Sequence, residues 1–290
     1  MRKLIAIGAL GVAVLVTWNA ETEACRHRHR RGSAVCYVPS CPSVEVSPAP
    51  RRGASPLAAL RANVTSTRQF VSPKGRTYTI HRTTFMDTHE EAQVPAAPLT
   101  AAAGSGDRFG GTDRKAAKTS IGTGAVEPFD DIAAIRDMFT MMQLGDDVMS
   151  NDPLISKAAD NQRVDAEQRN VRVRGLLYAA AKEKDNDFHL IVGTDDASNT
   201  DAMMNTEISG LPGPGPFLAP LTAVRDQFKA HFGSNLPGRT YDIFDPPIPV
   251  EVTGSLFFDI DHKGGTVGPG PMKPSSAWEI HPITKIVFEP

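Results

Sequence analysis

The side chains best suited to chemistry lie late in the chain: His189, Glu207, Asp259, Asp261, His262, Glu279 and His281. Imidazole nitrogens and carboxylate oxygens together make a ligand set for a divalent metal ion, and the same pairing can pass a proton. Glu279 and His281 alternate with Trp278 and Ile280, so on a strand the two polar residues share one face and the two apolar residues the other. His189 stands between Phe188 and Leu190. Asp259, Asp261 and His262 open the run Asp259-Ile-Asp-His-Lys-Gly-Gly265, in which Asp and Gly also satisfy the ordinary needs of a turn. The chain has no His-x-x-x-His, no Cys-x-x-Cys and no nucleophilic serine elbow. With no dense ligand motif, the leading expectation for these residues is a structural or solvated role, ahead of ligand or metal binding and then catalysis. The loop Asp195–Asp201 lacks the alternating oxygens and closing glutamate of a calcium loop and reads as a plain connection. Cys25-Arg-His27-Arg-His29 alternates potential donors, but it reads as part of a solvated tether.

These residues must be positioned by strands. Asn170–Ala181 and Phe188–Thr194 are rich in β-branched and large apolar residues and flank the polar turn Lys184–Asp187, which predicts a hairpin. A third strand is expected from Met203 to Leu211. It is followed by a helix with apolar positions at Leu218, Leu221, Val224, Phe228 and Phe232, ended by Gly233. Val250–Asp259 and Trp278–Phe288 supply two more strands, giving the order β-β-β-α-β-β. Upstream, Ile132, Ile135, Met138, Phe139 and Met142 recur at helical spacing behind a cap at Asp130 or Asp131. A second helix is expected from Asp152, where Asp-Pro offers a cap and a first-turn proline. Residues 113–168 therefore read as a helical segment whose apolar face packs on the strands.

The element order over residues 169–290 resembles the oligonucleotide/oligosaccharide-binding (OB) fold, a five-stranded Greek-key β-barrel with a helix between strands 3 and 4. The fold class expected is thus mainly β with α. Val171-Arg-Val-Arg-Gly175 and Val250-Glu-Val-Thr-Gly254 repeat one phrase, and a mid-strand glycine permits the coil or bulge a small barrel needs. In the OB arrangement these two strands are neighbours. Asp187-Phe-His189-Leu, Glu207-Ile208, Thr253–Asp259 and Trp278-Glu-Ile-His-Pro282 are similar to a group of exported bacterial proteins of uncharacterised function. That resemblance spans residues 113–290 and implies no particular activity.

The N-terminus predicts export. Arg2 and Lys3 precede an apolar run from Leu4 to Val16, and Thr22-Glu23-Ala24 offers a signal-peptidase site, so residues 1–24 read as a signal peptide; an earlier cut after Ala20 also fits. Cleavage after Ala24 leaves Cys25 at the mature N-terminus, where it is a candidate for lipidation, although Glu23 and Thr22 depart from the usual pattern for that modification. The three cysteines, Cys25, Cys36 and Cys41, allow one disulfide outside the barrel. Residues 25–112, with the basic run Arg26–Arg31, Pro39, Pro42, Pro48 and Pro50, and Pro95, Pro98 and Gly104-Ser-Gly106 further on, read as a mostly disordered tether and linker. Within them, a turn at Ser72–Gly75 and the strand-like Tyr78–Phe85 predict a short hairpin at 67–85. The expected location is periplasmic, cell-envelope or extracellular.

Residues 169–290 hold 11 Lys and Arg against 15 Asp and Glu, an acidic balance that disfavours a nucleic-acid partner. The leading functional expectation is a non-catalytic exported module that binds a small molecule, glycan or protein and needs no cofactor. The alternative is a metal-dependent, phosphodiesterase-like hydrolase in which Glu207, Asp259, Glu279 and the histidines hold a divalent metal. A structural cell-envelope protein, held at a membrane by its N-terminus, is the third reading.

Overall fold

A computed structural model describes residues 60–86, 105–262 and 267–290. The segments expected to be a signal peptide and tether before residue 60, with Cys25, Cys36 and Cys41, lie outside the described residues, as do 87–104 and 263–266. Among the described residues no helix is long and apolar enough to cross a membrane.

The chain is mainly β with helices. Its strands are β1 (Val64–Val71), β2 (Thr77–Met86), β3 (Val126–Phe129), β4 (Asn170–Lys182), β5 (Phe188–Gly193), β6 (Met203–Ile208), β7 (Thr240–Phe258) and β8 (Trp278–Phe288). The helices are α1 (Lys115–Lys118), α2 (Ile132–Met141), α3 (Asp146–Met149) and α4 (Leu218–Phe232). These eight strands of the described residues form one mixed sheet. Five of them return on themselves: β4 pairs β5, β5 pairs β6, β6 runs parallel to β8, β8 pairs β7, and β7 pairs β4.

A five-stranded barrel alone is too small a description. The hairpin β1–β2, which lies where a short hairpin was expected at 67–85, adds to the first half of β7, and β3, from a segment expected to be helical, lies parallel beside β4, so three strands join the sheet beyond the ring. β7 also begins at Thr240, well before the Val250 expected from sequence. Pro246, Pro247 and Pro249 fall inside it and conceal the strand, because proline cannot donate to a ladder. β6 stops at Ile208 rather than Leu211. No helix starts at Asp152. Its carboxylate instead accepts the Leu154 N–H in a turn, and the short helix α3 precedes it.

The repeated Val-x-Val-x-Gly phrases pair with each other: Val171 opposes Gly254, Val173 opposes Val252, and Gly175 opposes Val250. At Gly254 a Cβ would lie 2.5 Å from the Pro282 carbonyl oxygen and 2.6 Å from Ile280 Cγ2, beside register shifts in the β7–β8 ladder. Only glycine permits that close approach.

Strand alternation divides the ring into two faces. Leu190, Val192, Ile208, Val252, Leu256, Ile280, Ile283 and Ile286 join the main core, and α4 adds Val224, Phe228 and Phe232 to it. α2 starts at Asp131, whose carboxylate accepts the Ala134 N–H at 2.9 Å. It buries Ile132, Ile135, Met138 and Phe139, and Phe139 stacks on Trp278 with centroids 4.6 Å apart. The Trp278 indole N–H reaches the Leu144 carbonyl at 2.7 Å. The opposite face of β5, β6 and β8 carries the polar residues. It lies under chain that includes α1 and residues 259–262, pinned by two buried arginines. Arg114 grips both Glu167 oxygens at 2.7 and 2.8 Å and donates to the Phe258 carbonyl. Arg163 donates to the carbonyls of Leu256 and His281.

Candidate metal centre

Cross-strand register assembles the cluster. His189 on β5 stands directly opposite Glu207 on β6, and Asn205 on β6 stands opposite Glu279 on β8. Glu279 in turn opposes Phe257 on β7, so Asp259, two residues further on, enters from the same side. The loop after β7 then carries His262 back over Glu279.

Three imidazoles and their carboxylates form a continuous chain of contacts. His189 Nδ1 lies 2.7 Å from Glu183 Oε1 and 3.6 Å from Glu207 Oε1. His281 Nδ1 lies 2.7 Å from Glu207 Oε2 and 3.8 Å from Glu279 Oε2, and its Nε2 is 3.4 Å from Asp187 Oδ2. His262 Nδ1 lies 2.7 Å from Glu279 Oε1, with Nε2 3.8 Å from Asp259 Oδ2. His189, His281, Glu279 and Asp187 are fully buried.

Four donor trios converge within 4.8 Å: Glu183 with His189 and Glu207; Asp187 with Glu207 and His281; Asp259 with His262 and Glu279; and Glu183 with Asp185 and Asp187. Asp185 Oδ2, Asp187 Oδ2, Glu207 Oε2, Glu279 Oε2 and both His281 nitrogens are buried without a hydrogen bond. His281 Nδ1 and Glu207 Oε2 nevertheless approach to 2.7 Å, an ion-pair distance. Buried polar atoms without partners are costly, which marks the spot as built for something else.

The electrostatics agree with a deficit of positive charge. Burial, then the neighbouring Asp185, pushes the Asp187 carboxyl well above the usual range. Asp185 is raised as well, by its own burial. At His281 burial works against the charge, but Glu207, Glu279 and Asp187 override it and push the imidazole up to about 10. Burial likewise works against the Glu207 carboxylate, yet His281, His189 and Lys118 bring it down to about 2. Lys118 Nζ lies 3.3 Å from Asp259 Oδ2 and, after the opposing effect of burial, helps His262 hold that carboxyl below its ordinary value.

Of the residues singled out from sequence, His189, Glu207, Asp259, His262, Glu279 and His281 meet here. Asp261 does not: its backbone N–H bonds Asp259 Oδ1 at 2.8 Å and its carboxylate pairs with Lys157. Sequence reasoning missed Glu183, Asp185 and Asp187, the last two because Lys184–Asp187 read as a polar turn and Glu183 because it stands just before it. Their signal was alternation: Glu183, Asp185, Asp187 and His189 occupy every second position. It also missed Lys118, and nothing local to that short helix announces it. The Asp195–Asp201 loop contributes to none of the donor trios: the Asp196 carboxylate bonds Ser198, and the Asn199 side chain accepts the Asp201 N–H.

The donors are nitrogen and oxygen only. Structural zinc sites are usually rich in cysteine, whereas imidazole with carboxylate suits catalytic zinc, manganese or iron. No protein family, curated protein or solved structure matches the chain, so what this centre does is read from its own geometry.

Proposed function

We propose that this chain is an exported divalent-metal protein that carries out metal-assisted hydrolysis on the outer face of an OB-type barrel. The single observation that carries the proposal is the convergence of His189, His262 and His281 with buried carboxylates in overlapping donor trios, with one oxygen each of Asp187, Glu207 and Glu279 buried without a hydrogen bond. The ring order β4-β5-β6-β8-β7, with its parallel β6–β8 pair and a helix between β6 and β7, supports the OB reading, with β1, β2 and β3 as additions. In OB barrels the face of strands two and three, flanked by the loops after strands one and four, takes ligands. Here those parts are β5, β6, residues 183–187 and the loop after β7, which carry most of the cluster, while β8 adds Glu279 and His281.

A divalent ion at this position would polarise a phosphoryl or carbonyl oxygen and acidify a bound water. Lys118, the buried ammonium beside Asp259, is placed to balance charge that develops next to the ion. The acidic balance of residues 169–290 favours a small phosphodiester over a nucleic-acid polymer. A second reading, a binding module in which the ion only organises the fold, is favoured by the complete burial of His189, Glu279 and His281. The likeness to exported bacterial proteins and the N-terminal pattern support delivery out of the cytoplasm, and Cys25 remains the candidate lipid attachment point.

Metal analysis of the purified protein, repeated on a His189→Ala, His281→Ala double variant and joined to turnover of bis(p-nitrophenyl) phosphate, tests this. The expected result is stoichiometric metal and hydrolysis in the parent, both lost in a variant that keeps its circular dichroism. Metal without hydrolysis selects the binding-module reading. A folded, metal-free parent that cannot be loaded overturns both.

A further inference from the structure

We propose that the cluster is a two-ion centre in which Glu207 bridges two divalent cations, one held with Glu183 and His189 and the other with Asp187 and His281. The inference rests on the metal reading above and deepens it.

Two of the convergent donor trios share one residue, and that residue is Glu207. Its carboxylate is oriented as a bridge must be. Oε1 faces His189 Nδ1 at 3.6 Å, while Oε2 faces His281 Nδ1 at 2.7 Å, so each oxygen serves a different imidazole. A carboxylate used this way holds two ions at the separation of about 3.5–4 Å typical of two-metal hydrolytic sites. Glu183 and Asp187, the remaining carboxylates of the two trios, also converge with Asp185 in a trio of their own, which draws the two halves together on the second side.

Charge counts in the same direction. Two divalent cations would match the four carboxylates of Glu183, Asp185, Asp187 and Glu207 in their ionised form with neutral imidazoles. The trio of Asp259, His262 and Glu279 differs, because the chain supplies its own cation there: Lys118 Nζ sits 3.3 Å from Asp259. That trio therefore flanks the pair, with Glu279 Oε2 turned toward His281 at 3.8 Å, and takes no ion of its own.

The test uses the full chain stripped of metal and titrated with Mn2+, read by equilibrium dialysis and by electron paramagnetic resonance, with Zn2+ dialysed in parallel. The expected result is two ions per chain with an exchange-coupled Mn2+ spectrum. His189→Ala and His281→Ala should each retain one ion and show the spectrum of an isolated Mn2+. One ion per chain in the parent overturns the bridge and leaves the metal reading standing. Two ions without exchange coupling likewise overturn the bridge. No binding of either metal overturns both. Because the parent's stoichiometry and spectrum decide the matter alone, a variant that fails to fold does not rescue the proposal.

Discussion

His231 is packed face to face on Phe288, with ring centroids 3.7 Å apart, at the end of α4 where the core meets the C-terminal strand. Burial lowers its pKa to about 4; nearby Glu289 opposes that shift and Lys74 adds to it. The folded value lies below the roughly 6.5 of an unfolded histidine, so the fold prefers the neutral ring. Above pH 6.5 or so neither state binds the proton and the residue carries no penalty. As pH falls from there toward 4, the unfolded chain takes up a proton that the folded chain resists, and stability declines through that window. A His231→Phe variant keeps the stack and removes the titration, so its Tm should fall less between pH 6.5 and pH 4.5 than the parent's, as thermal melts across that range will show. At this same scale the sequence was partly transparent. Glu279 and His281 were readable as one strand face because they alternate with Trp278 and Ile280. That His189 faces Glu207 was not readable, because a cross-strand partner is set by register between separate strands.

Among the elements, β7 shows most clearly why part of the fold was hidden. Its second half was legible through the Val250-Glu-Val-Thr-Gly254 phrase, while its first half is interrupted by prolines that argue against a strand. Those prolines lie where β7 exchanges its partner β2 for β8, with Thr79 opposite Asp245 before them and Phe288 opposite Val250 after. α2 was legible nearly in full, since helical periodicity and a capping aspartate are local signals. The four-residue β3 was not, because a strand that short gains its identity from lying beside β4. The phrase itself yields a prediction. Gly254→Ala should cost about 1–3 kcal/mol, because the added methyl has no room between Pro282 and Ile280 and the bulge must shift. Chemical denaturation of the variant, with the urea midpoint falling at an unchanged m-value, will check it.

Across the whole molecule, long-range polar ties join segments that share no local pattern. Asp242, fully buried on β7, receives Arg68 from β1 and Arg82 from β2 at 2.8–2.9 Å. Glu289 accepts the hydroxyls of Tyr78 and Ser72, which fastens the hairpin to the end of β8. Arg114 and Glu167 hold the cover over the candidate metal centre, and the Glu167 carboxylate also accepts the Phe258 N–H at 2.9 Å. Removing one partner of that pair leaves a buried charge alone, so Arg114→Ala should cost about 3–5 kcal/mol in a denaturation measurement. Hydrogen exchange at the Phe258 amide should speed up in step. The closed ring has a further consequence for the order of events during synthesis. Of the ring strands, β4, β5 and β6 leave the ribosome before β7 and β8, as a meander with two unsatisfied edges, one on β4 and one on β6. The β4 edge waits for β7 and the β6 edge for β8, so neither closes while only the first three ring strands have been made. The nascent chain therefore passes through an interval of exposed backbone edges that its own later strands, or a chaperone, must cover.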